Sequence, residues 1–409
     1  MSSTSTNSSE TKSVRRGILP LSADPIHYGH LDLIARAAQR CDELIVLVSE
    51  NDQKCGSYLF TSEERVAFVE RAVALRGIPR VTVRFSRNLL VDEMSKLGCS
   101  VIFRGIRNAQ DREMEERQMR YHTMIQPGVI DEVVYLESSD EWCEVSSSMV
   151  KAFARHDLEV SRWTPVFVQS ALEERICKRW SIGITGEIAS GKTWVSGKLT
   201  LLLEQRGYEA TSISIDQLVR DAYVEDSPGA QLLRDGLARL CGDEVLSEDR
   251  RSVNRPLLAQ RLFAETTSGQ TRQAVHALTA PHVARLHRQA LHGTKGIVLL
   301  EWAQLAEMEM GSRVNHRSIV VESDERAQLA ETRGIDAVQL KQLSAIQWSA
   351  ERKTESLAAA ARQAGGGMVL RYRNHRASAE ESERTIGALA DEILRHVPSF
   401  CRKAQGGGA

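Results

Sequence analysis

The alternation of buried-strand patterns with amphipathic-helix patterns constrains the fold of this chain more than any other feature of its sequence. In the first half, apolar strand patterns such as Glu43–Val48 and Val81–Phe85 alternate with helical patterns such as Asp111–Ile125. Short β-α-β connections give parallel strands with helices on both faces of the sheet. The second half repeats the alternation, with further strand patterns at 211–215, 296–300, 317–321 and 366–370. The sequence therefore predicts an α/β fold with two doubly wound parallel sheets.

Local signals predict several helix ends and both termini. Thr61 and Glu64 have the S/T-x-x-E spacing of a capping box, and Gly98 follows a short helical pattern as a stop signal. Long helical patterns are predicted over 256–265, 274–291 and 325–357. Residues 1–13 are rich in Ser and Thr and lack the apolar core of a secretory signal, which predicts a disordered tail. The Gly-rich end of 398–409 predicts a second flexible tail.

The length of 409 residues exceeds one ordinary core and predicts two domains, at 14–172 and 181–397, joined by a linker at 173–180. Lys and Arg number 53 against 54 Asp and Glu, a balance that does not support binding to nucleic acid or to an anionic membrane. No apolar stretch approaches the roughly 20 residues of a membrane helix. The seven cysteines are scattered without a Cys-x-x-Cys pair, which favours free thiols in the cytoplasm and excludes a zinc knuckle.

The segment from Leu21 to His30 lies between a strand pattern and an amphipathic-helix pattern. Backbone N–H groups at a helix start lack partners, and together with the helix dipole they favour a bound phosphate. His27 and His30 flank a glycine at this turn, and a His-x-Gly-His there is typical of nucleotidylyltransferases. The alternatives are two surface histidines or part of a metal site, although no Cys, His or Asp cluster of suitable spacing is nearby.

Cationic and hydroxyl side chains follow other strand patterns of the first half. Lys54, Arg104 and Ser146 each come just after a predicted strand, and the carboxyl ends of parallel strands meet at one edge of a sheet. The guanidinium groups of Arg104 and Arg107 suit a triphosphate because each presents a planar fork of donors. The serines at 146–148 fit a phosphate-binding helix start, with ordinary N-capping as the alternative for any one of them. These side chains are expected to converge on one cleft.

The first half resembles bacterial phosphopantetheine adenylyltransferase over nearly all of residues 14–172. The matching segments are Asp24–Ile34, Lys54, Phe60–Arg65, Arg104–Arg107, Asp111, Glu113, Glu115, Glu141–Trp142 and Ser146–Ser148. The resemblance implies transfer of AMP from ATP to 4′-phosphopantetheine, giving dephospho-CoA and pyrophosphate, with Mg²⁺ neutralising the pyrophosphate. The sequence departs from the family at Leu21 and Ala23, where the family has Gly and Phe.

Residue roles follow from this resemblance by position. It implies that His30 is catalytic and holds the ATP α-phosphate, and that Lys54 binds the nucleophilic phosphate. Ser22 is expected to contact ATP and the incoming phosphate, and Arg104 the substrate. The other implied contacts are to ATP for His27, Arg107, Glu115, Ser146, Ser147 and Ser148, and to substrate for Leu90.

The second half contains a P-loop pattern between a strand pattern and a helix pattern. Its eight residues are Gly186, Glu187, Ile188, Ala189, Ser190, Gly191, Lys192 and Thr193. Backbone N–H groups of such a loop surround phosphates, so the whole segment is expected to bind ATP. Lys192 is expected to reach the β and γ oxygens as a catalytic residue, and Thr193 to bind Mg²⁺. A glycine-rich turn that caps a helix is the alternative.

Asp216 is predicted to end the next strand, in the same cleft as the P-loop. There it is expected to orient or deprotonate an acceptor hydroxyl as a catalytic residue. Arg220, one helical turn later, is expected to bind a substrate phosphate, with simple exposure to solvent as the alternative. The alternative for Asp216 is a helix N-cap before Gln217–Tyr223.

The second half resembles dephospho-CoA kinase, more weakly beyond the P-loop than within it. The matching pieces are Ile184–Thr193, Asp216–Arg220, Asn254–Ala259, Phe263, Pro281–His282, Glu301–Glu307, Gln328, Gln347 and Lys353. The departures are the order of Pro281–His282, a proline missing from Glu301–Glu307, an arginine missing after Gln328 although Arg333 is near, and Leu343 in place of a lid arginine.

The hypothesis that joins both halves is a fused, bifunctional CoA synthase: an adenylyltransferase followed by a P-loop kinase that phosphorylates the 3′-hydroxyl of dephospho-CoA. Two alternatives remain open. One keeps the adenylyltransferase and makes the second half a degenerate, regulatory ATP-binding domain. The other is a nucleotidylyltransferase for another substrate, such as nicotinamide mononucleotide. The expected partners are small molecules and neither nucleic acid nor a membrane, and the family resemblance suggests self-association.

Overall fold

The computed structural model describes residues 14–50, 56–263, 269–332, 347–375 and 378–403, and positions 336, 337, 340, 341 and 344 between them. It contains two compact units. The first comprises the residues up to Ala152 together with Arg162–Val168, and the second comprises Phe153–Ser161 together with the residues from Gln169 onward. The domain bounds drawn from the sequence remain predictions.

The first unit is built on a five-stranded sheet in the order β3-β2-β1-β4-β5, and every neighbouring pair is parallel. The strands are β1 (Arg16–Leu21), β2 (Glu43–Ser49), β3 (Val81–Ser86), β4 (Val101–Ile106) and β5 (Glu132–Glu137). The helices are α1 (Tyr28–Ala38), α2 (Ser62–Leu75), α3 (Leu90–Leu97) and α4 (Ala109–Ile125). Helices α5 (Ser147–Arg155) and α6 (Val166–Leu172) each begin in the first unit and end in the second. The chain reverses its direction of travel across the sheet between β1 and β4, which is where ligands bind in folds of this kind.

The predicted helix ends of the first unit are confirmed. Thr61 accepts a hydrogen bond from the N–H of Glu64, whose carboxylate accepts one from the N–H of Thr61, so the capping box is complete. Gly98 ends α3 with a φ of 65°, the left-handed conformation that glycine adopts without steric cost.

The second unit is built on a five-stranded parallel sheet in the order β10-β9-β6-β8-β7. The strands are β6 (Arg179–Gly186), β7 (Ala210–Ser214), β8 (Gly296–Glu301), β9 (Arg317–Glu322) and β10 (Met368–Arg373). The helices are α7 (Lys192–Gln205), α8 (Ile215–Val224), α9 (Pro228–Cys241), α10 (Arg255–Phe263), α11 (Gly269–Leu291), α12 (Arg326–Glu331), α13 (Ala350–Gln363) and α14 (Ala379–Leu394). Two parallel sheets with flanking helices confirm the predicted α/β fold.

The helical stretch predicted over 325–357 is not continuous. Within the described residues, α12 ends at Glu331, positions 337, 340, 341 and 344 are helical, positions 347–349 are not, and α13 begins at Ala350. Ser349 is the reason for the new start, since its side chain accepts a hydrogen bond from the N–H of Arg352 and caps α13.

The ends of the second unit also differ from the sequence expectation. Arg179 and Trp180, predicted as linker, are buried in β6. Residues 398–403, predicted as part of a flexible tail, contain a short 3-10 helix at Ser399–Cys401, and Cys401 is fully buried. The tails at 1–13 and 404–409 lie outside the described residues. In the ranges that are described, no helix has both the length and the apolar character needed to cross a bilayer.

Candidate active sites

The loop between β1 and α1 is held by a buried carboxylate. Asp24 accepts hydrogen bonds from the N–H groups of Leu59 at 3.1 Å and Phe60 at 3.0 Å. It also forms an ion pair with Lys151, with 2.7 Å between Nζ and Oδ2. Ala23 adopts a φ of 47°, in the left-handed region that favours glycine. The loop therefore has a conformation that its own residue types disfavour and that surrounding contacts impose.

His27 and His30 lie together at the start of α1, as the sequence predicts. His27 is the N-cap, and its Nδ1 accepts a hydrogen bond of 3.4 Å from the N–H of His30. Their rings stack with centroids 3.6 Å apart. Gly29 leaves room for this arrangement, because a Cβ at that position would lie 3.1 Å from Nδ1 of His27. Burial, with the positive fields of His30 and Arg107, holds the pKa of His27 well below its usual range, so this imidazole is neutral at pH 7.

Arg104 lies inside β4, and the expectation that it follows the strand is wrong. The strand continues to Ile106 because Gly105 has no side chain: a Cβ there would lie 2.5 Å from Cδ1 of Leu33. The Arg104 guanidinium contacts Glu115 and donates to Oε1 of Gln118 at 2.7 Å, both on α4. The structure thus brings together two of the predicted site residues, Arg104 and Glu115, as an ion pair beside the switch point.

Arg107 comes one residue after β4 and faces the same loop. Its Nε donates to Oδ2 of Asp111 at 2.9 Å, and nearly half of its side chain is exposed. The positive field it exerts on His27 places the two residues in the same region of the fold. A guanidinium with one carboxylate partner and open access retains donors for an anionic ligand.

The predicted serines lie at the start of α5. Ser147 donates to the carbonyl of Pro25 at 2.8 Å, and Oγ of Ser146 accepts from the N–H of Met149 at 3.1 Å. Ser148 is exposed. Capping is therefore the role that the structure shows for Ser146, and phosphate binding by all three remains a prediction.

Arg65 is a residue that the sequence analysis did not assign to the site. It is 1% exposed, and one of its terminal nitrogens donates to the carbonyls of Ser22 at 2.7 Å and Ser49 at 3.1 Å. These carbonyls follow β1 and end β2, so Arg65 fixes the two strand ends beside the loop. Its spacing from Val69 and Val73, at i, i+4 and i+8 on the buried stripe of α2, is the signal that could have identified it.

The three remaining predicted site residues of the first half are Ser22, Leu90 and Lys54. Ser22 has its carbonyl bound by Arg65. Leu90 is the first residue of α3 and is buried in a cluster with Ile45 and Met94, so its substrate contact stays a prediction. Lys54 lies outside the described residues.

The P-loop follows the fully buried strand β6, and its two pattern glycines are required by its geometry. Gly186 has a φ of 150°, and a Cβ there would lie 2.1 Å from the carbonyl oxygen of Val321. Gly191 has a φ of 88°, and its Cβ would lie 2.2 Å from Nδ2 of Asn374. Ala189 is buried between them in the left-handed region, with a φ of 59°. The segment with the P-loop pattern therefore forms a tight loop before α7, as predicted.

Lys192 and Thr193 begin α7 with their side chains in the loop. Nζ of Lys192 donates to the carbonyls of Gly186 at 3.2 Å and Glu187 at 2.8 Å. The Thr193 hydroxyl donates to Oε1 of Glu301 at 2.7 Å. Glu301 ends β8, opposite Ile184 of β6, and sequence reasoning did not assign it a role. The sequence signal that could have identified Glu301 is an acidic residue at the end of an otherwise apolar strand.

The oxygens of Thr193 and Glu301 fit a hard divalent cation. Mg²⁺ prefers oxygen ligands and keeps several waters and substrate phosphates, so two protein oxygens suffice. In the described ranges no group of three or more His, Cys, Asp or Glu side chains could hold a metal ion by itself. The pair therefore suits a cation that arrives with a nucleotide.

Asp216 lies in the first turn of α8, so the prediction that it ends a strand is wrong. Strand β7 stops at Ser214, which caps α8 by accepting a hydrogen bond of 3.3 Å from the N–H of Gln217. This also rules out the alternative role of Asp216 as the cap. Burial raises the pKa of Asp216 against the opposing effects of Lys192, Arg220 and the backbone N–H of Ala303.

Arg220 lies one turn beyond Asp216 and is exposed. Its guanidinium donates to Oε1 of Gln217 at 3.3 Å, on its own helix. The electrostatic effect of Arg220 on Asp216 shows that its guanidinium lies near the carboxylate. Its binding of a substrate phosphate remains a prediction.

Arg326 is a second residue that the sequence analysis did not assign. Its Nε donates to the carbonyl of Ile188 at 3.0 Å, and it forms an ion pair of 3.0 Å with Glu187, both in the P-loop. It also donates to Oγ of Ser344 at 2.7 Å. Arg333 and Leu343, noted in the sequence as departures from the kinase pattern, lie outside the described residues. Among those that are described, Arg326 supplies a cation in contact with the loop.

A cavity of about 330 Å³ lies beside Asp216, in the size range of small-molecule sites. One stripe of α8 and one stripe of α11, with the segment after β8, form its walls. The lining is mainly apolar and includes Val219, Tyr223, Val275, Val283, Trp302 and Met308. His287 lies in the wall, and its buried Nε2 has no hydrogen-bond partner. The cavity therefore suits a largely apolar group next to the Asp216 carboxylate, with the charged side chains of Arg272 and Arg313 also in its wall.

His287 makes the second unit sensitive to acid. Burial, with the positive field of Arg313, lowers its pKa to about 4 in the folded protein, against 6.5 in an unfolded chain. The unfolded state therefore binds an extra proton as the pH falls from 6.5 towards 4. We expect the free energy of unfolding to fall by about 3 kcal/mol between pH 7 and pH 4 because of this group.

Replacing His287 by leucine should remove this loss. The free energy of unfolding, measured from urea-dependent hydrogen exchange in α11 at pH 7 and pH 4, should fall less in His287→Leu than in the wild type. Equal falls in both proteins would contradict the assignment.

Comparison with known proteins matches the two halves of the chain to two different family models. Residues 21–153 match the family model of cytidylyltransferase-like proteins, and residues 180–362 match that of dephospho-CoA kinase. Phosphopantetheine adenylyltransferase of Staphylococcus saprophyticus is 39% identical over 166 residues, which cover 41% of this chain and 99% of the relative. The same enzyme of Levilactobacillus brevis is 38% identical over 159 residues, which cover 39% and 95%. The chain belongs to the phosphopantetheine adenylyltransferase family, and its second half matches the dephospho-CoA kinase family model.

Proposed function

We propose that this chain carries out two consecutive steps of coenzyme A biosynthesis. The first unit transfers AMP from ATP to 4′-phosphopantetheine, and the second phosphorylates the dephospho-CoA that results. The observation that supports this most is the presence, in one chain, of a His-x-Gly-His loop at a sheet switch point and a P-loop whose Thr193 bonds to Glu301. Each is a nucleotide site at the carboxyl edge of its own parallel sheet.

In the first step, a phosphate oxygen of 4′-phosphopantetheine attacks the α-phosphorus of ATP, and the bond to pyrophosphate breaks. No covalent intermediate with the protein is needed, so catalysis is positioning and stabilisation of charge. His30, in the first turn of α1, is the residue proposed to hold the α-phosphate. Ser22, Lys54 and Arg104 are proposed to hold the nucleophile. Arg65 and Asp24 keep the loop in the shape that presents these groups.

In the second step, the ribose 3′-hydroxyl of dephospho-CoA attacks the γ-phosphorus of a second ATP, and ADP leaves. Asp216 is proposed to accept the hydroxyl proton, and its raised pKa favours that transfer near neutral pH. Lys192 is proposed to move from the loop carbonyls to the β and γ oxygens. Thr193 and Glu301 would hold Mg²⁺, which supplies charge neutralisation on the transferred phosphate.

The acceptor is proposed to occupy the cavity beside Asp216 with one of its uncharged ends. Ala284 lies in the cavity wall on α11, so Ala284→Trp fills part of the space. Overpacking costs about 1–3 kcal/mol, which predicts a rise of about fivefold to about 150-fold in KM for dephospho-CoA. The KM for ATP should not change. The matched control is Ala277→Trp, an exposed position on the same helix. An unchanged KM for dephospho-CoA in Ala284→Trp would remove the cavity from the proposal.

The overall proposal is tested with the purified chain. With 4′-phosphopantetheine and Mg-ATP it should release pyrophosphate, and with nicotinamide mononucleotide in place of phosphopantetheine it should not. Given dephospho-CoA and Mg-ATP, it should form CoA and ADP. ATP binding without CoA formation would instead support the degenerate, regulatory kinase. A cytoplasmic location is also part of the proposal, supported by the six described cysteines, all of which are free.

A further inference from the structure

A buried ion pair contacts the segment that follows β8 and forms part of the cavity wall. The Lys353 side chain is fully buried in α13, and its Nζ lies 2.5 Å and 2.7 Å from the two carboxylate oxygens of Glu307. The same Nζ donates to the carbonyl of Ala303 at 2.7 Å. The proposed phosphate transfer uses neither residue.

Further contacts converge on the same segment. The Ala303 carbonyl also accepts a hydrogen bond of 3.1 Å from the hydroxyl of Thr185, next to the P-loop. Glu307 accepts another from the N–H of Trp348, at 3.0 Å. The N–H of Ala303, in the adjoining peptide, lies near enough to the Asp216 carboxylate to lower its pKa. Lys353 therefore holds the Ala303 carbonyl one peptide away from the N–H that faces Asp216.

We propose that Lys353, paired with Glu307, is a positioning residue for the kinase step, and that it sets the place and charge environment of Asp216 through the backbone of Ala303. This inference rests on the proposed function, in which Asp216 accepts the proton of the acceptor hydroxyl. Lys353 does not touch the substrate in this account. It acts through a segment whose Trp302, Gln304 and Met308 also line the acceptor cavity.

Charge provides the means of testing this role. Besides Lys353 and Glu307, the charged and titratable groups on the elements around Asp216 include Lys192, Arg220, Tyr223, Arg255, Arg272, His276, His287, Glu301 and Arg313. Loss of the Lys353 charge disfavours the ionised form of Asp216, and loss of the Glu307 charge favours it. The two single variants should therefore move the pH dependence of the reaction in opposite directions.

The experiment measures CoA formation from dephospho-CoA against pH in the full chain. In Lys353→Met, kcat should fall about tenfold to a hundredfold, because displacing a reacting group by about an ångström can cost that much. The KM for ATP should stay near the wild-type value, and the acidic limb of kcat/KM should move to higher pH. In Glu307→Gln, the acidic limb should move to lower pH. Lys295→Met, at an exposed position, is the control for loss of one lysine.

A double variant distinguishes three effects of losing Lys353: the displacement of Asp216, the change in its charge environment, and failure of the protein to fold. Lys353→Met alone leaves the Glu307 carboxylate buried without its cation, which is destabilising. In Lys353→Met/Glu307→Leu that charge is absent, so the acidic limb should return towards the wild-type pH while kcat stays low. Unmoved acidic limbs in both single variants, or full kcat in the double variant, would overturn the inference. A wild-type protein that forms no CoA would overturn the kinase function itself, a result distinct from these.

Discussion

Substitution of His30 by alanine should reduce the rate of dephospho-CoA formation from 4′-phosphopantetheine and ATP by about a hundredfold to a thousandfold. The estimate follows from the effect of removing one preorganised donor at a developing oxyanion. His30 lies in the first turn of α1, where the helix dipole favours negative charge. It stacks on His27, a neutral ring, and so has a fixed orientation. Pyrophosphate release under saturating substrates is the measurement.

The His30→Ala variant carries its own internal control. Because the second unit has a separate sheet and a separate nucleotide loop, conversion of supplied dephospho-CoA to CoA should proceed at the wild-type rate. Arg40→Ala, an exposed position just beyond α1, should leave both reactions unchanged. Pyrophosphate release by His30→Ala within twofold of the wild type would show that the loop is not the adenylyl-transfer site.

Substitution of Lys192 by alanine should have an effect of similar size on the other reaction. Lys192 is the one P-loop side chain proposed to reach the transferred phosphate, and catalysis of phosphoryl transfer depends on such charge stabilisation. Formation of CoA from dephospho-CoA and Mg-ATP should fall by about a hundredfold to a thousandfold. Dephospho-CoA should then accumulate when the reaction begins from 4′-phosphopantetheine.

Lys198→Ala is the matched control, since this lysine lies on the same helix α7 outside the P-loop pattern. It should retain CoA formation at the wild-type rate. Normal CoA formation by Lys192→Ala would exclude the P-loop as the source of kinase activity. A comparable loss in Lys198→Ala would show instead that α7 is simply intolerant of substitution.

Much of the fold could be predicted because its signals are local. Alternating patterns indicate which segments are strands, and short connections make the strands parallel. The capping box at Thr61 and the stop at Gly98 each depend on residues within one helical turn. The P-loop glycines also follow from a local requirement, since Gly186 and Gly191 have positive φ values and no space for a Cβ.

The two errors have different causes, a close contact with a distant residue in one case and a competing local cap in the other. Arg104 was expected beyond β4, but the strand extends to Ile106 because Gly105 fits closely under Leu33 of α1. Asp216 was expected at a strand end, but Ser214 offers the better cap and starts α8 before it. Neither outcome is encoded in the periodicity of the segment itself.

The residues missing from the sequence-based site have their roles only in three dimensions. Arg65, Glu301 and Arg326 bind groups that lie 16 to 139 positions away in the chain. A buried charge on an otherwise apolar stripe or at the end of an apolar strand is a signal, but the partner cannot be named from one sequence. The roles proposed for Lys54 and the three serines rest on resemblance and await measurement.

The central claim is that one chain performs both reactions, and it is tested by following all products from 4′-phosphopantetheine and Mg-ATP. The account predicts that dephospho-CoA appears first and is then converted to CoA. Because one ATP gives up AMP and a second gives up its γ-phosphate, each CoA formed should be matched by one pyrophosphate and one ADP. Dephospho-CoA that accumulates with equal pyrophosphate, without CoA or ADP, would contradict the account.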